Sequence, residues 1–535
     1  MRDEINVKKT ALIAVSDKRD LAPLVTSLSN QGWEILATGG TAKVITSLGV
    51  AVTQVAERTQ IPEMLGGRVK TLHPKIHGGI LFRRGDSSDL REIEQYDIQS
   101  IDLVVCNLYP FRETIGNADH TDDEALDQID IGGPTMIRAA AKNYKDVLVL
   151  VDPADYELVV EALQAGMDGL SNLPLTTRRS LASKAFSHVA SYDGAISGYL
   201  AADDESFPGE LTISGVLQSN LRYGENPHQR GALYRAEGIT TSGLGGYQQH
   251  HGLSMSYVNV LDADAAFRCV SDFDTPAVTI VKHTNPCCAA VMNSEPSGEA
   301  LSGLYEKALL GGDYVSAYGG IIAVNRIVDF DLAAAIRDVR HPESGQRMLY
   351  DIIVAPGYEL DALEHLKKKS KNLRILEVEP TGDRARGLEI RTIEGGFLVQ
   401  TPDAIEDITL EVVSEVGMDE ETKRELRVAW ILSKHVSSNA VVFVKDGVMV
   451  GMGAGQPNRV QSARLAALQA GERAVGAVCA TDAFLPFPDT LVVAAEAGCV
   501  AVVHTGGSIR DAESVEEANR RGIVLAVTGY RHFRH

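Results

Sequence analysis

Short apolar runs alternate with stretches of helical spacing over the first 150 residues. Ala11-Leu12-Ile13-Ala14-Val15 is apolar throughout, which predicts a buried strand. Leu21 to Asn30, closed by Gly32, predicts a helix. Trp33 to Ala37 predicts a second strand, and Thr41 to Leu48, closed by Gly49, a second helix. Ile101 to Cys106 and Val147 to Val151 predict further strands. Strands alternating with helices imply a parallel sheet covered on both faces. Leu175 to Leu200 has helical spacing and few breakers. Ala202-Asp203-Asp204-Glu205-Ser206-Phe207-Pro208-Gly209-Glu210 then combines acid, proline and glycine, and marks a linker over residues 201–210.

The remainder, 211–535, has a mixed pattern. Ala277 to Val281 predicts a strand. Val441 to Val444 and Val448 to Val450, joined through Lys445 and Asp446-Gly447, predict a hairpin. Arg459 to Ala470 predicts a helix, and Val500 to Val503 and Ile523 to Val527 late strands. This part exceeds the roughly 250–300 residues at which one core stops growing, so two subdomains are expected in it. The expected division is 1–200, a linker, and 211–535.

Composition narrows the function classes. The chain has 535 residues, 44% hydrophobic and 23% charged, as in ordinary globular proteins. No apolar stretch approaches a membrane span, and Met1-Arg2-Asp3-Glu4 does not read as a secretion signal, so a cytoplasmic protein is expected. Cys106, Cys269, Cys287, Cys288, Cys479 and Cys499 form no CxxC pair and fit small buried residues in a reducing compartment. The net charge of −21 argues against nucleic-acid binding through the general surface field. Anionic ligands would need local clusters of Lys, Arg and backbone N–H.

Such clusters are present. Thr38-Gly39-Gly40-Thr41 joins a strand to a helix, where free N–H groups meet an anion, although a plain tight turn explains an isolated Gly-Gly as well. Ser16-Asp17-Lys18 follows the first strand and would reach the same crevice. Gly66-Gly67-Arg68-Val69-Lys70-Thr71-Leu72-His73-Pro74 sets two cations in a loop, or is a solvated basic loop. Asn107-Leu108-Tyr109-Pro110-Phe111 ends a strand. Asp130 precedes a helix running through Lys142, where the first could cap the helix and the second could be a surface lysine. Further on, Lys282-His283-Thr284-Asn285 follows a strand and suits proton transfer beside a developing charge. Arg222-Tyr223 suits a phosphate. The terminal Arg531-His532-Phe533-Arg534-His535 would ordinarily be a frayed tail.

Taken together these segments resemble a known family. The Thr38, Gly66, Asn107 (NLYPF) and Ile129 (IDIGG) motifs resemble IMP cyclohydrolase. LRYGENPHQ from Leu221, KHTNPC from Lys282, SAYGG from Ser316, SSNA from Ser437, GAGQ from Gly453, DAFLPF from Asp482 and RHFRH from Arg531 resemble AICAR transformylase. In this order, over nearly the whole chain, they resemble the bifunctional purine biosynthesis family that joins both activities. The resemblance implies an α/β fold: a methylglyoxal synthase-like parallel-sheet domain, then two cytidine-deaminase-like subdomains. It implies a homodimer with transformylase sites at the subunit interface. It implies AICAR, formyl-AICAR and IMP as ligands, 10-formyltetrahydrofolate as cosubstrate, no tightly bound cofactor, and no membrane or nucleic-acid partner.

The resemblance also implies roles. Ser16, Asp17, Lys18, Thr38, Gly39, Gly40, Thr41, Arg68, Val69 and Thr71 would hold the nucleotide of the first domain, and Lys70, Tyr109, Asp130 and Lys142 would serve ring closure. Arg222, Tyr223, Gly319, Asp351 and Arg531 would bind AICAR, and Lys282, His283 and Asn439 would carry formyl transfer. Arg459, Val460, Phe484, Asp489, Ser508 and Ile509 would line the folate side. Pro488 stands where many members have Arg, and His504-Thr505 where Gln-Pro or a similar pair is common; both depart on the folate side. Two other readings compete. A nucleotide sensor would need phosphate contacts but not Lys70, Tyr109 and Lys142 together. A zinc deaminase would need H-x-E and P-C-x-x-C, and Pro286-Cys287-Cys288-Ala289-Ala290 lacks that spacing, so no metal is expected.

Overall fold

A computed structural model describes residues 8–117, 119–165, 173–201, 207–236, 242–292, 300–380, 388–404 and 408–535. The chain divides into two compact units at Val216–Leu217. Residues 202–206 of the expected linker lie outside those described.

In the first unit the alternating pattern forms β1 (Thr10–Ala14), α1 (Leu21–Asn30), β2 (Glu34–Ala37), α2 (Gly39–Ser47), β3 (Thr53–Gln54), β4 (Leu103–Cys106), α3 (Gly132–Lys142), β5 (Leu148–Leu150) and α4 (Leu175–Leu200). The strands are parallel in the order β3-β2-β1-β4-β5. Alternate side chains point to opposite faces. Leu12, Leu36, Val104 and Val149 therefore pack with Ile137, Ala140 and Val189 on one face, and Ala11, Ile13, Ile35 and Val105 with Leu24 and Leu28 on the other. The chain winds outward from β1 to β3, then returns to β4 on the other side. That reversal opens a crevice at the carboxyl ends of β1 and β4. The register Ala14↔Cys106 makes Ser16 and Asn107, just beyond those ends, neighbours.

The second unit holds one continuous sheet that repeats a single winding. The first copy is β6 (Gln248–His251), α5 (Tyr257–Ser271), β7 (Ala277–Lys282), β8 (Asn285–Val291), α6 (Leu301–Gly311), β9 (Gly320–Val324), α7 (Phe330–Asp338), β10 (Tyr350–Ala355), α8 (Leu360–Lys367) and β11 (Arg374–Glu377). The second is β12 (Glu411–Val412), α9 (Glu420–Lys434), β13 (Val441–Lys445), β14 (Val448–Gly453), α10 (Arg459–Ala470), β15 (Val478–Thr481), α11 (Asp489–Ala497), β16 (Ala501–His504), α12 (Asp511–Arg521) and β17 (Val524–Val527). Among the described residues the sheet has twelve strands, ordered β12-β17-β16-β15-β13-β14-β8-β7-β9-β10-β11-β6.

Each copy is a hairpin, three parallel strands and an antiparallel edge strand. The copies meet back to back where β8 pairs antiparallel with β14 through Ala290↔Val448. The two expected subdomains thus share one sheet. Helices α5 and α9 cover one face, and the other six cover the opposite face. The antiparallel seam carries the first copy's β7–β8 turn to the strand ends where β13 begins and β14 finishes. Among the described residues no helix is long and apolar enough to cross a membrane.

Candidate active sites

The first-unit crevice has a volume of about 1410 Å³. Asn107 builds its floor. Its Oδ1 accepts the N–H groups of Ser16 at 2.6 Å and Asp17 at 2.9 Å, and its Nδ2 donates to the Asp17 carbonyl at 3.0 Å. The Asp17 carboxylate itself turns to Arg19, 2.6 Å away, and does not line the crevice. Lys18 lines it, with Nζ 3.1 Å from the Ser16 carbonyl. Thr41 is buried, and its hydroxyl is taken by the Val15 carbonyl at 3.0 Å, so it fastens α2 to β1. Thr38 and Gly40 line the crevice at the start of α2, and Gly132 and Gly133 at the start of α3. Thr38 makes no side-chain cap, so the first N–H groups of α2 are open to an anion. Gly39 adopts φ 33°, and a Cβ there would stand 3.7 Å from Lys70 Nζ.

The loop from Gly66 crosses the crevice mouth. Gly66 and Gly67 both have positive φ, and a Cβ on Gly67 would lie 2.6 Å from Lys70 Cε. The φ of 92° is what favours glycine at Gly67, since the flexible end of Lys70 could shift aside for a Cβ. Val69 bridges Met64, Thr71 is buried, and Arg68 pairs at 2.5 Å with Asp127. Lys70 Nζ stands 3.8 Å from Glu63. Asp130 faces this ammonium. Burial pushes its carboxyl above the ordinary range, opposed by the Gly133 N–H at 2.8 Å and by the Lys70 charge. A Cβ on Gly133 would fall 2.5 Å from Asp130 Oδ2, so that residue makes room for the carboxylate. Burial, and then the Asp130 charge, push the Tyr109 hydroxyl up. Lys70, Tyr109 and Asp130 are therefore brought together.

Lys142 is not with them. It ends α3, whereas Asp130 precedes that helix. At ~1.5 Å rise per residue the two ends are roughly 15 Å apart. Lys142 instead lines a separate cavity of about 670 Å³ with His77, Arg138 and Arg179. In this chain Lys142 does not line the crevice, because the rise along α3 separates its two ends.

In the second unit Lys282 ends β7, with Nζ donating to the Tyr318 carbonyl at 2.7 Å. His283 and Thr284 form the two-residue turn into β8, and His283 is exposed. Asn285 Oδ1 accepts the Ser437 N–H at 2.8 Å, which joins this turn to the segment before β13. Asn439 follows there, its Nδ2 donating to the Gln456 carbonyl at 2.8 Å and its carbonyl accepting from Ser462. Lys282, His283 and Asn439 thus converge at one end of the sheet's central strands, from both copies.

Asp351 on β10, Arg222 and Tyr223 all act electrostatically on Arg374, a buried guanidinium that the sequence did not single out. The Arg222 guanidinium lies 5.3 Å over the Tyr223 ring. Gly319 has φ 75°, with its N–H on the Leu349 carbonyl. The tail is anchored. Arg531 is exposed, its guanidinium 4.3 Å from the Phe533 ring. His532 meets Asp403 at 2.8 Å, and Arg534 donates to the carbonyls of Thr284 and His435.

On the expected folate side, Arg459 is committed to Asp482 and the Phe484 carbonyl. The Val460 N–H is held by the Asn458 cap, and Asp489 opens α11 after Pro488. Phe484 and Ile509 are exposed, and the Ser508 N–H donates to Asp511 at 3.0 Å. Arg510 lies 4.7 Å over the Phe487 ring, so the 484–487 and 508–510 loops adjoin. His504 is buried and accepts the Gly506 N–H, a structural use of that departure.

The AICARFT/IMPCHase bienzyme model matches residues 140–469 and the MGS-like domain model residues 20–135. The chain is 44% identical over 532 residues to the bifunctional purine biosynthesis protein PurH of Anoxybacillus flavithermus, covering 99% of this chain and 100% of that one. It is 43% identical, with the same coverage, to the protein of that name from Bacillus cereus. A solved chain described as the crystal structure of ForH is 39% identical, covers 36% of this chain and 99% of its own, and has a TM-score of 0.33.

Proposed function

The chain belongs to the AICARFT/IMPCHase bienzyme family, and from that premise we propose how its residues divide the two activities. The protein transfers a formyl group to AICAR and closes formyl-AICAR to IMP. The cosubstrate is 10-formyltetrahydrofolate. The protein acts as a cytoplasmic homodimer without a tightly bound cofactor.

Formyl transfer belongs to the second unit. The single observation that carries this is the Asn285–Ser437 hydrogen bond, which sets Lys282 and His283 beside Asn439. AICAR's amine is conjugated with an electron-poor ring and attacks weakly, so orientation and proton removal decide the rate. Arg222, Tyr223, Asp351 and Arg531 hold AICAR. His283 takes the proton from the amine as nitrogen bonds to the formyl carbon. Lys282 stabilises the oxyanion. Asn439 orients the carboxamide. The bond from the formyl carbon to the folate nitrogen then breaks, and that nitrogen takes the proton. Phe484, Asp489, Ser508 and Ile509 flank the folate.

Ring closure belongs to the first-unit crevice. The attacking carboxamide nitrogen and the formyl carbon share one molecule, so the protein need only fix the rotamer and handle charge and protons. The N–H groups at the start of α2, with Ser16 and Lys18, hold the phosphate. Lys70 stabilises the oxyanion. Asp130, raised by burial, accepts the carboxamide proton and passes it to the oxyanion, with Tyr109 as hydrogen-bond partner. The resulting hydroxyl leaves as water with the proton of the former formyl-bearing nitrogen as the ring C=N bond forms.

The test is to incubate the protein with AICAR and 10-formyltetrahydrofolate and identify the nucleotide. IMP is expected. Accumulation of formyl-AICAR alone would remove the first-unit assignment. Light scattering on the purified protein tests the dimer, and a monomer with full transformylase activity would refute it.

A further inference from the structure

The two copies of the winding run in step, residue for residue, through their first helix and hairpin. Helices α5 and α9 each have 15 residues, and β7 and β13 each end on a lysine, Lys282 and Lys445. Each hairpin then closes with two residues of positive φ: His283 (53°) and Thr284 (60°) in the first copy, Asp446 (53°) and Gly447 (73°) in the second. A two-residue turn with both φ values positive favours Asp-Gly or Asn-Gly. The second copy has that pair. The first has His-Thr, and a β-branched residue at positive φ is a true outlier, whereas histidine tolerates it better. The unfavourable conformation is therefore concentrated at Thr284, next to the residue assigned to proton transfer.

Both turns are clamped alike. The sixth residue of α5 is Asp262, whose Oδ1 accepts the Thr284 N–H at 2.7 Å. The sixth residue of α9 is Glu425, whose carboxylate accepts the Gly447 N–H at 2.9 Å. Both carboxylates are buried. Thr284 is held from the other side as well, its carbonyl accepting from Arg534 at 2.8 Å. One clamp holds a turn that glycine would adopt unaided. The other holds a turn that its own sequence opposes.

We propose that Asp262 is a positioning residue for formyl transfer: its carboxylate holds the His283-Thr284 turn in the shape that aims the imidazole. This rests on the assignment of His283 as proton acceptor. Strain kept at a functional site persists only when its surroundings over-determine it, and Asp262 with Arg534 supplies that restraint. Glu425 is the built-in control, with the same geometry in a copy whose turn is Asp446-Gly447.

The test uses the full-length protein and compares Asp262→Ala, Asp262→Ala with Thr284→Gly, Glu425→Gln and His283→Ala. Transformylase kcat and KM for AICAR, ring closure of supplied formyl-AICAR, and thermal unfolding are measured on each. Asp262→Ala is expected to lower kcat on the order of 100-fold with KM nearly unchanged, since a misplaced catalytic group costs about that much. Thr284→Gly should restore most of that kcat, because glycine adopts the turn without the clamp. Glu425→Gln should leave kcat alone. His283→Ala should abolish transfer, and active transfer there would overturn the assignment of His283 and the proposal with it. Inactive His283→Ala beside fully active Asp262→Ala would overturn the proposal alone. So would a folded double variant as slow as His283→Ala. If Asp262→Ala does not fold, the double variant decides: folded and active supports the proposal, and unfolded overturns it, because Asp262 would then serve the core.

Discussion

The Arg459 guanidinium lies 2.9 Å from the Asp482 carboxylate, with 9% of one side chain and none of the other exposed. The same guanidinium donates to the Phe484 carbonyl at 3.0 Å. Removing one partner strands a buried charge, which costs about 3–5 kcal/mol. Arg459→Ala should therefore lower the unfolding temperature of the second unit strongly. Arg459→Lys should recover only part, since an ammonium cannot serve both acceptors in the same fork. Calorimetry distinguishes this from a mere loss of folate affinity, in which Arg459→Ala would unfold like the wild type.

Lys70 and Lys142 should differ sharply. Lys70 faces Asp130 across the crevice, and Lys142 lines another cavity. Lys70→Ala should slow ring closure of supplied formyl-AICAR by about two to three powers of ten, as expected for a lost oxyanion donor. Lys142→Ala should change that initial rate far less. Equal large losses would show that Lys142 reaches the crevice from a second chain.

The two activities should separate. His283→Ala should abolish formyl transfer while leaving ring closure intact, because the residues proposed for the two steps lie in different compact units. Initial rates with each substrate check this. A similar loss of both rates in a folded variant would refute the division.

The anchored tail should matter for substrate. Arg531→Ala should raise KM for AICAR several-fold with a smaller change in kcat, since a phosphate ligand contributes to ground and transition states alike. Steady-state kinetics at varied AICAR decides, and unchanged constants would make the exposed Arg531 a bystander.

His504 should make the second unit acid-sensitive. Burial lowers its pKa from 6.5 to about 4, with Asp511 opposing and Arg459 adding. The unfolded chain then binds the proton that the folded chain refuses. Stability from this group is complete above about pH 6.5 and falls as pH drops toward 4, by roughly 1.4 kcal/mol per unit. His504→Asn, whose amide oxygen can still accept the Gly506 N–H, should flatten the decline of unfolding temperature between pH 6.5 and 4.5. An unchanged slope would place the acid sensitivity elsewhere.

The parallel sheet was legible because apolar runs and helical spacing are local signals. Leu21–Asn30, Leu175–Leu200 and Arg459–Ala470 lie where the spacing put them. What the pattern could not show was pairing across the sheet. Asn107 organises Ser16 and Asp17 only because Cys106 pairs with Ala14, and neither its place after a strand nor its NLYPF motif foretold that pairing. Arg374 and Asp262 gain their roles from strands and turns far along the chain, without a motif of their own. The doubled winding was expected from the family resemblance, as two subdomains of one fold, and not from any internal repeat in the residues, for a similar reason. Matching positions hold unlike residues, His283-Thr284 against Asp446-Gly447, because backbone shape was retained while side chains diverged. Lys142 shows a different limit: helical spacing placed it on α3, but spacing alone does not say which cavity a helix end lines.

During synthesis the ribosome completes β7 to β11 long before β14 emerges. Strand β8, buried from Pro286 to Val291 in the finished sheet, must wait for its neighbour at Val448. At about 5–20 residues per second that interval is on the order of ten to thirty seconds. Throughout it an apolar strand has an open row of N–H and C=O groups, a template for pairing with the same strand of another nascent chain. Crowding on a polysome is then a hazard this architecture must survive.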